Sequence, residues 1–326
     1  MTETTMIGAI NLALARAMTE DPSVLVLGQD VGRDGGVFRA TDGLLAQFGD
    51  QRVLDMPLAE AGIAGLAIGL AAQGFRPVVE IQFSGFIYAT IDQMVNHAAR
   101  QRNRTRGRLT CPMVLRAPNG GGIRAAEHHS ESVEAFFVNI PGLRLLVPSS
   151  PAKAYGLLLA AIRDDDPVVM LEPTRLYRAI REPVIDDGVA LPLDQSFVIR
   201  QGNDVTLVSW GGALMETLAA SDRLAEDGIS AAVIDVCSLK PLDMAPILAS
   251  LETTGRCVIV HEAALTGAPG AEIAARIAEQ GLMSLVAPIQ RVAGFDTVMP
   301  LPRLESAYLP SADRIIAAVL TCLEYQ

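Results

Sequence analysis

The sequence is poor in several things at once. Lysine is nearly absent: of 26 basic residues only Lys153 and Lys240 are lysine, so a Schiff-base chemistry has two candidate positions. The four cysteines, Cys111, Cys237, Cys257 and Cys322, form no CxxC pair and mostly sit among apolar neighbours. That spacing argues against a zinc site or a disulfide framework and for small buried hydrophobes in a reducing compartment. Basic charge is short against 37 acids, leaving a formal net charge of −11. A protein built to sit on nucleic acid needs a basic face, so the balance argues against that class. The longest apolar run, Ala61 to Ala72, is too short and too rich in glycine to span a bilayer. The first residues, Met1-Thr-Glu-Thr-Thr-Met6, carry no basic stretch, and Asn11 and Arg16 interrupt the apolar segment after them. Neither a signal nor a transit peptide is expected, and a cytoplasmic location is. Phosphate-cradling patterns are missing too. Gly28-Gln-Asp-Val-Gly32 and Gly267-Ala-Pro-Gly270 are glycine turns, but neither is GxGxxG, and no GxxxxGK[ST] occurs. A diphosphate-bearing cofactor would need another polypeptide to hold that end.

What is present is ample core material: 50% of the residues are apolar and 19% charged, in a chain of 326 residues for which two domains are the natural division. Short apolar runs alternate with helical patterns. Val24–Leu27, Arg52–Asp55, Pro77–Phe83, Met113–Arg116, Arg144–Val147 and Val168–Leu171 read as strands. Met6–Met18, Leu58–Gln73, Ile91–Arg102 and Pro151–Arg163 read as helices, and Pro118–Gly122 as a loop. Strands of this kind between helices predict a mainly parallel sheet covered on both faces. Arg181 to Asp194, with Pro183, Gly188 and Pro192 and little periodicity, reads as a linker. The pattern then restarts with strands at Val205–Ser209, Ala231–Val236 and Cys257–Val260 and helices at Ala213–Glu226 and Ala271–Gln280. The division is therefore 1–180, a linker over 181–200, and a smaller α/β domain over 201–326.

Three constellations carry possible chemistry. In Asp55-Met-Pro-Leu-Ala-Glu60, Pro57 suits a helix entry and Glu60 falls in the first turn. Ala61, Gly65 and Gly69 then recur every four residues, a face almost without side chains. Each glycine costs a helix about 1 kcal/mol relative to alanine, so close approach by another helix is the natural reason for them. Glu60 beside that seam is either an acid buried at an interface or an ordinary first-turn acid complementing the helix dipole. In Glu127-His128-His129-Ser130-Glu131-Ser132, a histidine pair in a polar loop suits proton transfer or anion binding. A zinc site lacks a third ligand at metal-site spacing, and no serine has a GxSxG elbow. One surface and one structural histidine is the plain alternative. Finally, Arg100-Gln-Arg-Asn-Arg-Thr-Arg-Gly-Arg108 has arginine at every second position. Without interleaved aromatics in an acidic chain, a helix end paired with acids elsewhere is favoured over a nucleic-acid patch.

Taken with Gly35-Gly-Val-Phe-Arg39, Gly74-Phe-Arg-Pro-Val-Val-Glu-Ile-Gln-Phe83, Pro141-Gly-Leu143, Ala161-Ile-Arg-Asp164, Glu172-Pro-Thr-Arg-Leu-Tyr177 and Gly294-Phe-Asp-Thr297, these motifs closely resemble the β subunit of the E1 component of 2-oxo acid dehydrogenase complexes over nearly the whole chain. The resemblance implies an α/β fold: a transketolase-like pyrimidine-binding domain followed by a smaller C-terminal transketolase-like domain. It implies thiamine diphosphate shared with an E1 α subunit that holds the diphosphate and Mg²⁺, in an α₂β₂ heterotetramer. The implied reaction is decarboxylation of pyruvate or a branched-chain 2-oxo acid and acylation of the lipoyl group of E2, with neither nucleic acid nor membrane as partner. By the same resemblance Glu60 hydrogen-bonds the aminopyrimidine N1′, and Leu58, Gln82 and Phe86 line the pyrimidine pocket. His129 binds substrate carboxylate or the dihydrolipoyl group and supplies a proton during acyl transfer. Glu131 departs from the family's frequent glutamine, and an acid there would raise the pKa of His129. Met113, Ala161, Ile162, Asp164 and Asp166 fall where family members hold a structural K⁺, although Asp166 replaces a frequent asparagine.

Overall fold

A computed structural model describes residues 2–325. The strands are β1 (Thr2–Thr5), β2 (Val24–Gly28), β3 (Val53–Asp55), β4 (Arg76–Glu80), β5 (Val114–Asn119), β6 (Arg144–Leu146) and β7 (Val168–Pro173). They continue with β8 (Arg181–Val184), β9 (Phe197–Arg200), β10 (Val205–Ser209), β11 (Ala231–Asp235), β12 (Ser238–Lys240), β13 (Cys257–Ala264) and β14 (Gln290–Gly294). A seven-stranded sheet has the order β12-β6-β7-β5-β4-β2-β3, and a five-stranded sheet the order β14-β13-β10-β11-β9. All pairings in the first are parallel except that of β12, and all in the second except that of β9. The expected architecture, a mainly parallel sheet followed by a smaller one of the same class, is what the chain forms. The reason is visible in β2, β10 and β11, whose residues are buried without exception. A strand apolar on both sides needs cover on both faces, which crossover helices supply.

One face of the large sheet is covered by the helices Met6–Glu20 and Pro151–Arg163, which pack on one another. Both start with local signals. Thr5 accepts from Gly8 N–H, and Ser150 precedes Pro151 at the first helical position. The opposite face belongs to a core that continues from Leu27, Ile63 and Leu115 through Val147 to Val208, Trp210 and Ile259. Burial is therefore shared between the two sheets.

Two features of the connectivity depart from the reading of separate blocks. The segment read as linker holds β8, which pairs antiparallel with β1, and β9, which edges the second sheet. Strand β12, from the second half of the chain, pairs antiparallel with β6 of the first. The expected helix over 91–102 is also irregular. It runs as a 3₁₀ segment (Ser84–Thr90), a widened π turn (Gln93–His97), a second 3₁₀ turn (Ala98–Arg100) and one short α-helix (Gln101–Arg104). Widened turns of this kind are frequent at functional sites and are held by tertiary packing, which a local pattern does not encode.

Candidate functional site

In open parallel sheets ligands bind beyond the carboxyl ends of the strands, where successive connections leave in opposite directions. Here the chain runs from β2 to β3 on one side and returns to β4 on the other. The loops after β2 and β4 part at that point, and Gln82 Nε2 donates to Asp30 Oδ2 across them at 3.2 Å. Asp55, ending β3, accepts from Gly32 N–H at 2.6 Å and Arg33 N–H at 3.1 Å. Those bonds fix the β2 loop against the entry to the next helix. Leu58, Glu60, Gln82, Phe86 and His129 all follow carboxyl ends of β3, β4 or β5, so the sheet brings their segments to one edge.

The helix Glu60–Ala72 buries Ile63, Ala64, Ala67 and Ala71. Its outer face, Ala61, Gly62, Leu66 and Gly69, is exposed, and Gly65 is half-buried. A Cβ at Gly69 would meet nothing within 4 Å, and one at Gly65 would only touch Gln93 Oε1 at 3.4 Å. Nothing among the described residues therefore calls for these glycines. After Glu60 the helix has no polar side chain at all. A helix apolar all round belongs in a protein interior, yet four of the thirteen residues of this one are exposed. Leu58 just before it is 69% exposed. Glu60 is half-buried in the first turn and, among the described residues, has no hydrogen-bond partner.

His129 stands half-buried between aromatic rings, its centroid 4.1 Å from that of Phe83 and 5.4 Å from that of Phe86, both edge-on. Its Nδ1 is enclosed and makes no hydrogen bond among the described residues. Close backbone approach makes this possible, because a Cβ at Gly85 would lie 2.3 Å from the His128 carbonyl. The histidine loop thus lies directly on the 84–90 segment, which packs in turn on the Glu60 helix. His128 is exposed. Glu131 accepts from the Tyr88 hydroxyl, and its other oxygen lies 4.0 Å from His128 Nδ1. Burial and that carboxylate push the Tyr88 phenol well above its ordinary range.

Beneath this edge lies a polar cluster that the sequence reading missed. Arg116, 1% exposed in the middle of β5, donates from Nη1 to Glu80 Oε2 at 2.7 Å and from Nε and Nη2 to both Glu172 oxygens at 2.8 Å. Tyr177 donates to Glu172 at 2.7 Å. Burial opposes the charge on Arg116, but Glu172 and Glu80 outweigh it and hold the guanidinium protonated. Burial pushes the Glu80 carboxyl up. The available signal was charge at Glu80, Arg116 and Glu172 inside strands that are otherwise apolar, an arrangement tolerated only where the charges meet.

The residues marked for K⁺ do come together, but their oxygens already have donors. Arg76 donates to the carbonyls of Ile162 at 3.1 Å and Asp164 at 2.8 Å. The Met113 carbonyl accepts from Val168 N–H and the Ala161 carbonyl from Asp164 N–H. The carboxylates of Asp164 and Asp166 pair with Arg144 and Arg102 at 2.8 and 2.7 Å. The guanidinium of Arg76 thus lies on two of the carbonyls that the resemblance marks for K⁺. The Arg102 contact also gives the arginine run one of the acidic partners expected for it.

Comparison with known proteins agrees with this layout. Residues 2–180 match the family model of the transketolase pyrimidine-binding domain, and residues 195–315 that of the transketolase C-terminal domain. The chain is 48% identical over 320 residues to the pyruvate dehydrogenase E1 component subunit β of Leifsonia xyli, covering 98% of this chain and 95% of that one. It is 45% identical to the protein of the same name from Bacillus subtilis, covering all of both chains. A solved structure described as a split-gene transketolase in an inactive β4 tetramer superimposes with a TM-score of 0.81 over 99% of each chain, at 24% identity, and shares the fold.

Proposed function

We propose, from the premise that this chain belongs to the family of pyruvate dehydrogenase E1 β subunits, that it forms the pyrimidine-binding half of a thiamine diphosphate site completed by an α subunit. The observation that carries this reading is Glu60: an acid without a partner among the described residues, at the start of an apolar helix whose outer face is bare. An aminopyrimidine ring asks for a carboxyl at one edge and apolar contact on its faces, and Glu60 with Leu58 and Phe86 offers that donor set. Bound there, thiamine diphosphate supplies an electron sink for decarboxylation of a 2-oxo acid. Glu60 holds a proton on its carboxyl oxygen toward the ring nitrogen, and Gln82, tied to Asp30, keeps the neighbouring loop in place. His129, with its enclosed and unpaired Nδ1, orients the substrate carboxylate and supplies a proton when the acyl group passes to the lipoyl arm of E2. The α subunit packs on the Ala61/Gly65/Gly69 face in an α₂β₂ assembly and holds the diphosphate and Mg²⁺.

The substrate is pyruvate or a branched-chain 2-oxo acid. Co-expression with an α subunit, followed by decarboxylation assays over a series of side-chain sizes, separates the two. In that assembly Glu60→Gln is expected to lower kcat by about 100-fold or more, since an amide cannot exchange a proton with the ring. Full turnover in that variant would make Glu60 an interface acid and the chain a scaffold. His129→Ala is expected to slow acyl transfer while leaving thiamine diphosphate affinity within a few-fold.

A further inference from the structure

The loop that carries His129 ends at a carboxyl group for which the proposed mechanism has no use. Glu134 is 2% exposed and opens the short helix Glu134–Val138. Asn119, the last residue of β5, donates from Nδ2 to Glu134 Oε1 at 3.2 Å and accepts from Val133 N–H at 3.2 Å. The second oxygen, Oε2, is enclosed and has no partner among the described residues. Across the junction from the other sheet comes Glu262, in β13, also buried. The two glutamates, with Asn119, Trp210, Gly211 and Gly212, line a small space of about 10 Å³, about the room one water needs.

Glu262 grips the same loop from the far side. Its Oε2 accepts from Gly121 N–H at 3.2 Å, and its Oε1 pairs with Arg175 Nε at 2.9 Å. Gly120, at φ +79°, comes so close that a Cβ there would lie 2.4 Å from Glu262 Oε2. Arg175 is also engaged by Glu216, and Glu305 accepts from Gly122 N–H at 2.8 Å and Arg124 N–H at 3.0 Å. His261 stacks on Trp210 with ring centroids 5.1 Å apart, and Tyr308 completes the surroundings. The buried guanidinium of Arg175 thus pairs with Glu262 and Glu216, and Glu134 stands beside Glu262 on the other side of the space. Burial without enough positive charge favours keeping a proton on one of them.

We propose that Glu134 holds a proton shared across the sheet junction with Glu262, and that this pairing is the latch that positions loop 120–132 and with it His129. Glu134 is a positioning residue, and its importance for acyl transfer rests on the role proposed above for His129. Burial pushes the Glu134 carboxyl up to about 7 and Glu262 adds to the effect, against the opposing pull of its own backbone, Trp210 and Asn119. Burial depresses His261 to about 4, so that imidazole is neutral throughout the relevant range. As pH rises through neutrality the latch proton leaves, two carboxylates face each other across the space, and the loop loosens.

Trp210 is the one tryptophan in the sequence and lines the space, so it reports on the latch directly. Fluorescence of the full chain titrated from pH 5 to 9 is expected to show one transition near pH 7. Glu134→Gln, which mimics the neutral acid, is expected to abolish it and to keep the low-pH spectrum throughout. Glu262→Gln removes the facing charge and is expected to move the midpoint toward acid by about one pH unit. This second variant keeps the test available should the first fail to fold. Hydrogen exchange at pH 8 is expected to be faster over residues 120–132 in the natural chain than in Glu134→Gln. A transition that survives Glu134→Gln, or none in the natural chain, would overturn the shared proton, and equal exchange would overturn the positioning role. None of these readouts depends on catalysis. Full acyl transfer by His129→Ala would remove the role of His129 and leave the titration as it stands.

Discussion

Two helices of the same domain are finished in opposite ways. Met6–Glu20 is capped by Thr5 and buries Met6, Ile10, Ala13, Leu14 and Met18 against the sheet and the helix Pro151–Arg163. Glu60–Ala72 has no side-chain cap, buries a narrow stripe of Ile63 and small alanines, and leaves Leu66 and Gly69 to solvent. The first is completed by its own chain. The second is more uniformly apolar yet less covered, which is why a partner surface is proposed for it. Apolar content marks a helix for burial without saying which molecule buries it.

Substitutions on the two helices sharpen that contrast. The largest effect on stability is expected from Leu14→Ala, where a cavity in a sealed core should cost about 2–5 kcal/mol in chemical denaturation of the chain. A loss below 1 kcal/mol would mean that the first helix is not closed by its own contacts. Gly69→Leu should do the reverse. The isolated chain gains up to about 1 kcal/mol from better helix propensity, because the new side chain meets nothing. Association with the α subunit, followed by sedimentation, should weaken by at least about 100-fold; unchanged assembly would separate the glycine face from the interface. The smallest change is expected at the caps. Thr5→Ala should cost about 1 kcal/mol, whereas Ala59→Gly should shift stability by a few tenths at most, since Ala59 makes no capping bond.

Much of the fold was readable because the signals were local. The run Val24–Leu27, the Ser150-Pro151 start and the amphipathic pattern over 213–226 each mark an element within a few residues of chain. Where packing chose the backbone, the reading failed, as in the mixed turns over 84–104. Candidate site residues were nameable through their motifs, but their surroundings were not. Glu131 stands two residues from His129 yet turns to Tyr88, 43 residues earlier in the chain. Arg116 meets Glu172 across 56 residues, a pairing set by the strand order β5-β7 and invisible in either segment alone.

By itself the sequence determined most of the element types, the parallel character of the sheets, the family and the apolar helix that begins at Glu60. Each comes from side-chain periodicity or from contiguous motifs, and these survive in one dimension. Tertiary structure alone decided which face of that helix stays bare, which carbonyls Arg76 occupies, and that Glu134 and Glu262 share one buried space. Those outcomes depend on which strands become neighbours, and a buried charge takes its partners and its protonation from whatever the packed sheets bring to it.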